Sequence, residues 1–261
     1  MVVAPTVLLS VGLFQAPPQG DPTEAEIQAI IEKFAAKESE FARARENYTY
    51  RQMVRIEELD EGGNVRGRFE VVSDIILSPE GRRTERVVRA PVPTLKRIQL
   101  TPEDEQDIRN VQPFVLTKED IGKYWVRYLG RQQVDEITCY VFAVKPKKME
   151  PGQRYFQGLI WVDDQDLQIV KTYGRGVGLL KKGYDNQFPK FETYRAQIDG
   201  KYWFPVWTNA DDTLYFETGP QRIRMRIRYE DYKQFKADVQ IRYGEPVQTP
   251  PQPPQPQPKR P

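Results

Sequence analysis

The sequence predicts a mainly β protein, a curved antiparallel sheet or incomplete β-barrel with an N-terminal helix and a short helical insertion covering one side. Three observations predict it. After Asn47 the apolar residues recur at every second position instead of every third or fourth. Turn-forming residues, above all Asp199-Gly200, separate the alternating runs at hairpin spacing. No helical stretch recurs between those runs, as the crossovers of a parallel sheet would require.

The elements follow in chain order. Residues 1–20 carry no charged side chain, and Val2 to Phe14 are mostly apolar, which reads as the hydrophobic region of a signal peptide or another apolar leader. The run is short and broken by Pro5, so no permanent membrane span is expected, and no cysteine near residue 20 could accept a lipid. An exported protein of the periplasm or cell envelope is the expectation. Residues 21–244 form a single β domain. It opens with a helix in which Asp21 or Thr23 caps the start, Pro22 suits the first turn, and Thr23 with Glu26 makes a capping box. Ile27, Ile30, Ile31, Phe34 and Phe41 then form one apolar stripe, flanked by Ala35 and Ala42.

Strands are expected near 48–59, 66–77, 82–89, 123–132, 137–145, 154–163, 167–174, 190–198, 201–208, 212–217, 221–231 and 236–242. Glu61-Gly62-Gly63-Asn64 and Pro79-Glu80-Gly81 supply two further tight turns, and residues 101–121 hold one or two short helices that start at Thr101-Pro102-Glu103. In Arg222 to Tyr229 every even residue is arginine or its equivalent polar face and every odd one is apolar, the pattern of a half-buried strand. Tyr155 to Val162 carries apolar groups on both faces, as a strand covered on each side does. Residues 245–261 contain eight prolines, a composition of extended, solvated tail.

Composition narrows the chemistry. Of 261 residues, 39 are Lys or Arg and 37 Asp or Glu, so a near-neutral chain offers no global field for nucleic acid. With no histidine and one cysteine there is no Ser-His-Asp triad, no Cys-His dyad, no imidazole ligand and no internal disulfide. None of Ser10, Ser39, Ser73 and Ser78 has a lysine three positions on. An enzyme here would have to run on carboxylates, Tyr, Lys or a bound cofactor, and no catalytic residue, cofactor or metal is assigned.

Individual constellations have bland readings. Asp163, Asp164 and Asp166 lack the spacing of a calcium loop and read as a turn, as do Asn209-Ala210-Asp211-Asp212. Gly174-Arg175-Gly176-Val177-Gly178 does not match a phosphate-binding fingerprint, but residues 175–189 make a long connection of the kind that gates a cavity mouth. Cys139 reads as a small buried hydrophobe. Arg222, Arg224, Arg226 and Arg228 form a stripe that meets an anionic contact or the acids of neighbouring strands.

An apolar leader, one amphipathic helix and a meander with a helical insertion together resemble the outer-membrane lipoprotein-sorting proteins, the LolA/LolB-like fold. The pair of strands in Gly158 to Lys171, turning at Asp163-Asp164-Gln165-Asp166, resembles that superfamily's strand, tight turn, strand element. The resemblance spans about residues 24–242 and implies an apolar cavity that holds lipid or lipoprotein acyl chains. On that reading Trp125, Phe142, Trp161, Trp203, Trp207 and Phe216 are the cavity candidates. The other readings are a carboxylate-dependent envelope hydrolase, or a structural envelope protein whose Pro-rich tail binds a protein partner.

Overall fold

The computed structural model describes residues 20–77, 83–179 and 188–235. The expected strand at 236–242, the turn at Pro79-Glu80-Gly81, the Pro-rich tail and the leader up to residue 19 lie outside those residues.

Thr23 caps helix α1 (Glu24–Arg45): its hydroxyl accepts the Glu26 N–H at 3.3 Å while the Glu26 carboxylate accepts the Thr23 N–H at 2.7 Å. Asp21 is not the cap, and accepts the Tyr128 hydroxyl instead. Three strands follow, β1 (Tyr48–Leu59), β2 (Val65–Leu77) and β3 (Arg83–Arg89). The insertion holds α2 (Pro102–Gln106), continued by one π-helical turn at Asp107–Val111, and α3 (Lys118–Ile121). Seven more strands follow among the described residues: β4 (Tyr124–Val134), β5 (Ile137–Pro146), β6 (Tyr155–Asp163), β7 (Ile169–Val177), β8 (Phe191–Ile198), β9 (Tyr202–Phe216) and β10 (Gly219–Gln234).

All ten strands form one curved antiparallel sheet in the order β3-β2-β1-β10-β9-β8-β7-β6-β5-β4. It does not close, because β3 and β4 stand at opposite edges. Two meanders, β1 to β3 and β4 to β10, are joined along β1 and β10, and residues 90–123 carry the chain from one edge to the other. At the Asp199-Gly200 hairpin both residues have positive φ, 54° and 65°, as the tightest hairpin turn requires. Two expected strands, 201–208 and 212–217, are one. The Asn209 to Asp212 stretch is not a turn but the middle of β9, where Asp211 meets Arg222 and Arg224 and the Asp212 carboxylate accepts the Lys190 N–H. The β7 strand also runs past its expected end at 174, pairing Gly174 and Gly176 with β6.

One face, the inner one, is covered by α1 and the insertion. Phe34 and Ile31 pack there on Phe142, Ile160, Val162, Ile169 and Ile227, and Phe41 packs on Tyr48 and Phe204. The alternation of β10 holds: Ile223, Met225, Ile227 and Tyr229 are buried inward, leaving the arginines between them outward. The outer face carries a smaller apolar cluster of Cys139, Val141, Trp161 and Val170. Burial in that cluster, with Asp163 and Asp164 beside it, pushes the Cys139 thiol up to about 12, so it stays protonated and inert at neutral pH.

The apolar stripe of α1 is interrupted on its buried side by Glu38 and Ser39. Glu38 is fully buried against Arg195 of β8, with its carboxylate 3.0 Å from one guanidinium nitrogen. The same carboxylate accepts the Ile169 N–H at 3.1 Å, and Arg195 donates to the Phe114 carbonyl. Helix, two strands and insertion therefore meet at one ion pair. Glu38→Ala is expected to cost about 3–5 kcal/mol in urea unfolding because it strands Arg195 without a counter-charge. Glu38→Leu combined with Arg195→Met should cost much less, and equal losses in the two proteins would contradict this account.

Candidate functional site

The inner face is not packed solid. Between the sheet and the insertion lies a cavity of about 80 Å³, walled by Ile56, Leu214, Ile223 and Met225 from the sheet and by Leu100 and Ile108 from the insertion. Phe216 and Phe188 stand at its margin. It is small beside the roughly 300–1,000 Å³ of sites that enclose a drug-sized ligand.

Its outer wall is the strap of residues 94–100. Glu58, buried at 1% exposure, accepts three successive backbone N–H groups of the strap, from Lys96 (2.9 Å), Arg97 (2.6 Å) and Ile98 (2.7 Å). Thr94 completes the attachment through Arg68. Gly67 is obligatory here, since a Cβ would strike the Glu58 carboxylate and the Thr94 carbonyl oxygen at 2.6 Å each.

The opposite wall is fixed by a second buried pair. Arg154 donates to both oxygens of Asp107, at 2.8 and 2.7 Å, while its guanidinium lies over the Phe188 ring. The pair rests on Gly176, where an added Cβ would collide with the Asp107 carboxylate. Gly176 and Gly178 are thus a seat for the π-helical turn and Arg154, while Gly174 packs on the β6 backbone and Phe156. An alternating glycine on a strand was the available sequence signal, and it points to close packing.

Two carboxyls border the cavity. Burial raises Asp107 above the usual carboxylate range although Arg154 pulls it down, and burial likewise raises Asp104, which serves as the partner of Thr101 in the cap of α2. Both groups already have these structural partners.

The structure divides the six aromatic candidates between the faces. Phe142 is in the inner core against Phe34, and Phe216 borders the cavity. The four tryptophans alternate outward, so the cavity is lined without them. Trp161, Lys171, Tyr194, Trp207 and Arg228 stand opposite one another in a row across β6 to β10. Lys171 lies 5.2 Å from the Trp161 ring centre and 4.5 Å from that of Tyr194, and Tyr194 stacks on Trp207 at 4.9 Å. Trp203 donates its indole N–H to Asp166, and Trp125 is 63% exposed at the β4 edge.

Within the arginine stripe, Arg222 and Arg224 share Asp211, Arg228 is 3.7 Å from Glu230, and Arg226 stands opposite Arg55 and Asn209. Asp163 closes its turn by accepting the Gln165 N–H. Among the described residues no group of three or more potential ligands is disposed to hold a metal ion, and no helix is long and apolar enough to cross a membrane. The expected gate at 175–189 is strand as far as Val177, and residues 180–187 lie outside the described part.

The site is thus set in an open, curved antiparallel sheet whose inner face carries one long helix and a helical insertion. No family model matches the sequence, and no curated protein matches it. Among solved structures the chain is similar to a DUF1329 family protein from Desulfovibrio piger, at 15% identity and a TM-score of 0.40, covering 82% of this chain and 94% of that one. It is similar to a LolA superfamily protein from Nitrosomonas europaea, at 14% identity and a TM-score of 0.35, over 76% of this chain and 93% of that one. A Vibrio parahaemolyticus domain described as a candidate outer membrane lipoprotein-sorting protein matches at 13% identity and a TM-score of 0.36, over 79% and 94%.

Two predictions follow from the walls of the cavity. Because the folded Asp107 holds its proton more readily than the unfolded 3.8, its contribution to stability grows as pH falls through the raised value and is least at neutral pH. Asp107→Asn should flatten that part of the pH dependence of the urea midpoint, leaving the shares of Asp104 and Asp163, which burial also raises; an unchanged slope would exclude Asp107 as a source. Glu58→Ala should detach the strap, so that amide exchange at residues 96–98 becomes fast while α1 stays protected. Simultaneous loss of protection in both would mean that Glu58 holds the whole fold and not the strap.

Proposed function

We propose that the protein is a carrier of the cell envelope that binds the acyl chains of lipids or lipoproteins at the inner cavity. The observation that carries this reading is a largely apolar cavity between sheet and helical insertion, one wall of which is a strap held by hydrogen bonds to Glu58, to Arg68 and, through Arg97, to the Thr218–Pro220 carbonyls. Each methylene buried there is worth about 0.8 kcal/mol, so a long chain is held without catalytic groups, metal or cofactor. The volume of about 80 Å³ admits only the end of such a chain. Uptake of the rest requires the strap to swing away from Ile56 and Ile223. The apolar leader at residues 1–20 supports export to the periplasm.

One observation favours the rival reading, a carboxylate-dependent hydrolase: Asp104 and Asp107 both border the cavity with raised proton affinity. Their engagement with Thr101 and Arg154 weighs against a free acid and base.

Protein purified without detergent is expected to retain lipid detectable by native mass spectrometry and to bind a fluorescent fatty acid. Leu214→Trp fills the cavity and should weaken that binding about fifteenfold, equivalent to two methylenes at about 0.8 kcal/mol each. A protein that carries no lipid and binds no fatty acid would sink the carrier reading. Turnover of a glycoside that is lost in Asp107→Asn would put the hydrolase in its place.

A further inference from the structure

The outer face is electrostatically uneven. Around β1, β2, β3 and β10 most of its arginines are neutralised: Arg51 and Arg86 on Asp74, Arg55 and Arg89 on Glu70, Arg222 and Arg224 on Asp211, and Arg66 on Asp60. The two arginines on Asp74 hold its carboxyl down at about 2. Across β4 to β7 the pattern differs. A groove of about 740 Å³ runs over the sheet between Trp125 and Tyr173, with Ala143 and Leu159 as its floor. Arg127, Lys145, Arg175 and Lys190 line it, and no carboxylate does among the described residues. None of these four cations has an ion-pair partner among the described residues. Lys147 adds a fifth charge, 5.1 Å from the centre of the Trp125 ring.

We infer that this groove docks the protein on an anionic phospholipid membrane. Its composition is that of a membrane interface: an exposed indole and phenol, whose amphipathic rings settle at headgroup level, set among cations that meet lipid phosphates. Trp125 and Tyr173 are 63% and 43% exposed. Each cation close to an anionic surface adds about fivefold to binding, and the effect falls away within a Debye length. An acidic protein segment fits the charges but gives the exposed rings on a broad sheet face no comparable role. The inference rests on the outer face alone and stands whether or not the cavity holds lipid.

The test is co-sedimentation of the full chain with vesicles of phosphatidylcholine alone or mixed with phosphatidylglycerol. Binding is expected only to the anionic vesicles and should fall as salt is raised, a result that needs no variant. Quenching by brominated anionic lipid should be largely lost in Trp125→Phe. Arg127→Gln with Lys145→Gln should weaken vesicle binding about thirtyfold. Arg66→Gln with Arg86→Gln removes the same charge from the neutralised half, and should change it by no more than about twofold. Equal binding to both vesicle types, no binding at low salt, or equal loss in the two double variants would overturn the proposal. So would a polyglutamate peptide that binds the groove while anionic vesicles do not, which would assign the surface to an acidic protein. Retained fatty-acid binding in the Arg127 and Lys145 variant would separate failure of docking from failure of the cavity.

Discussion

The arrangement of this protein depends on a charge placed where none is expected, the Glu38 carboxylate on the buried side of α1. It meets Arg195 from β8, the Ile169 N–H from β7 and, through the arginine, the Phe114 carbonyl from the insertion. Removing two charges from water offsets most of their attraction, so such a pair adds little net stability over apolar packing. What it does is exclude alternatives. If α1 rotates by one residue or slides by one turn, two charges are left buried and unpaired, at a cost of several kcal/mol. Apolar residues such as Ile31 and Phe34 are far more tolerant of such shifts. The ion pair therefore sets where the helix lies, and the helix fixes which part of the inner face stays open.

The same device recurs at the cavity. Glu58 gathers three N–H groups of the strap, and Asp107 grips Arg154, so both walls hang on buried carboxylates whose neighbours are glycines, Gly67 and Gly176. A strap held by hydrogen bonds differs from a wall held by packing. Its attachments are the Glu58 carboxylate, the Thr94 and Arg68 pair and the Arg97 contacts with the Thr218–Pro220 carbonyls. The cavity thus has one wall made by the sheet and one held by a few polar contacts.

Much of the fold was legible because strand and helix periods differ: the capped helix, the hairpin at Asp199-Gly200 and the two-faced strand at Tyr155 to Val162 all follow from local pattern. The site was much less so. Glu38, Glu58 and Asp107 look like surface residues in sequence, since a carboxylate is buried only when partners far along the chain are present. Aromatic density pointed to Trp161, Trp203 and Trp207 as lining, but in a strand the face is decided by parity relative to the core. Both parities of β6 are apolar, so composition alone could not separate inside from outside. At Asn209 to Asp212, turn-forming residues stay extended because Arg222 and Arg224 on the neighbouring strand hold Asp211 in the ladder.

The seam between the meanders differs from the turns within them. Tight turns join β1 to β2, β4 to β5, β6 to β7 and β8 to β9, but β1 and β10 meet from distant parts of the chain with no turn to align them. There the register must be written in side chains. Arg51 faces Glu230 and Glu57 faces Arg224 on either side of the Arg55 and Arg226 pair. A slip of one residue would turn Ile223, Met225 and Ile227 outward. A slip of two, in the direction that places Arg51 opposite Arg228, would also set Arg55 against Arg224 and lose the match with Glu230. The acids that neutralise this half, Asp74, Glu70 and Asp211, hold arginines of their neighbouring strands within each meander and so add to that charge order. On β4 to β7 the cations of the groove have no ion-pair partner among the described residues, which leaves them open to an external anion.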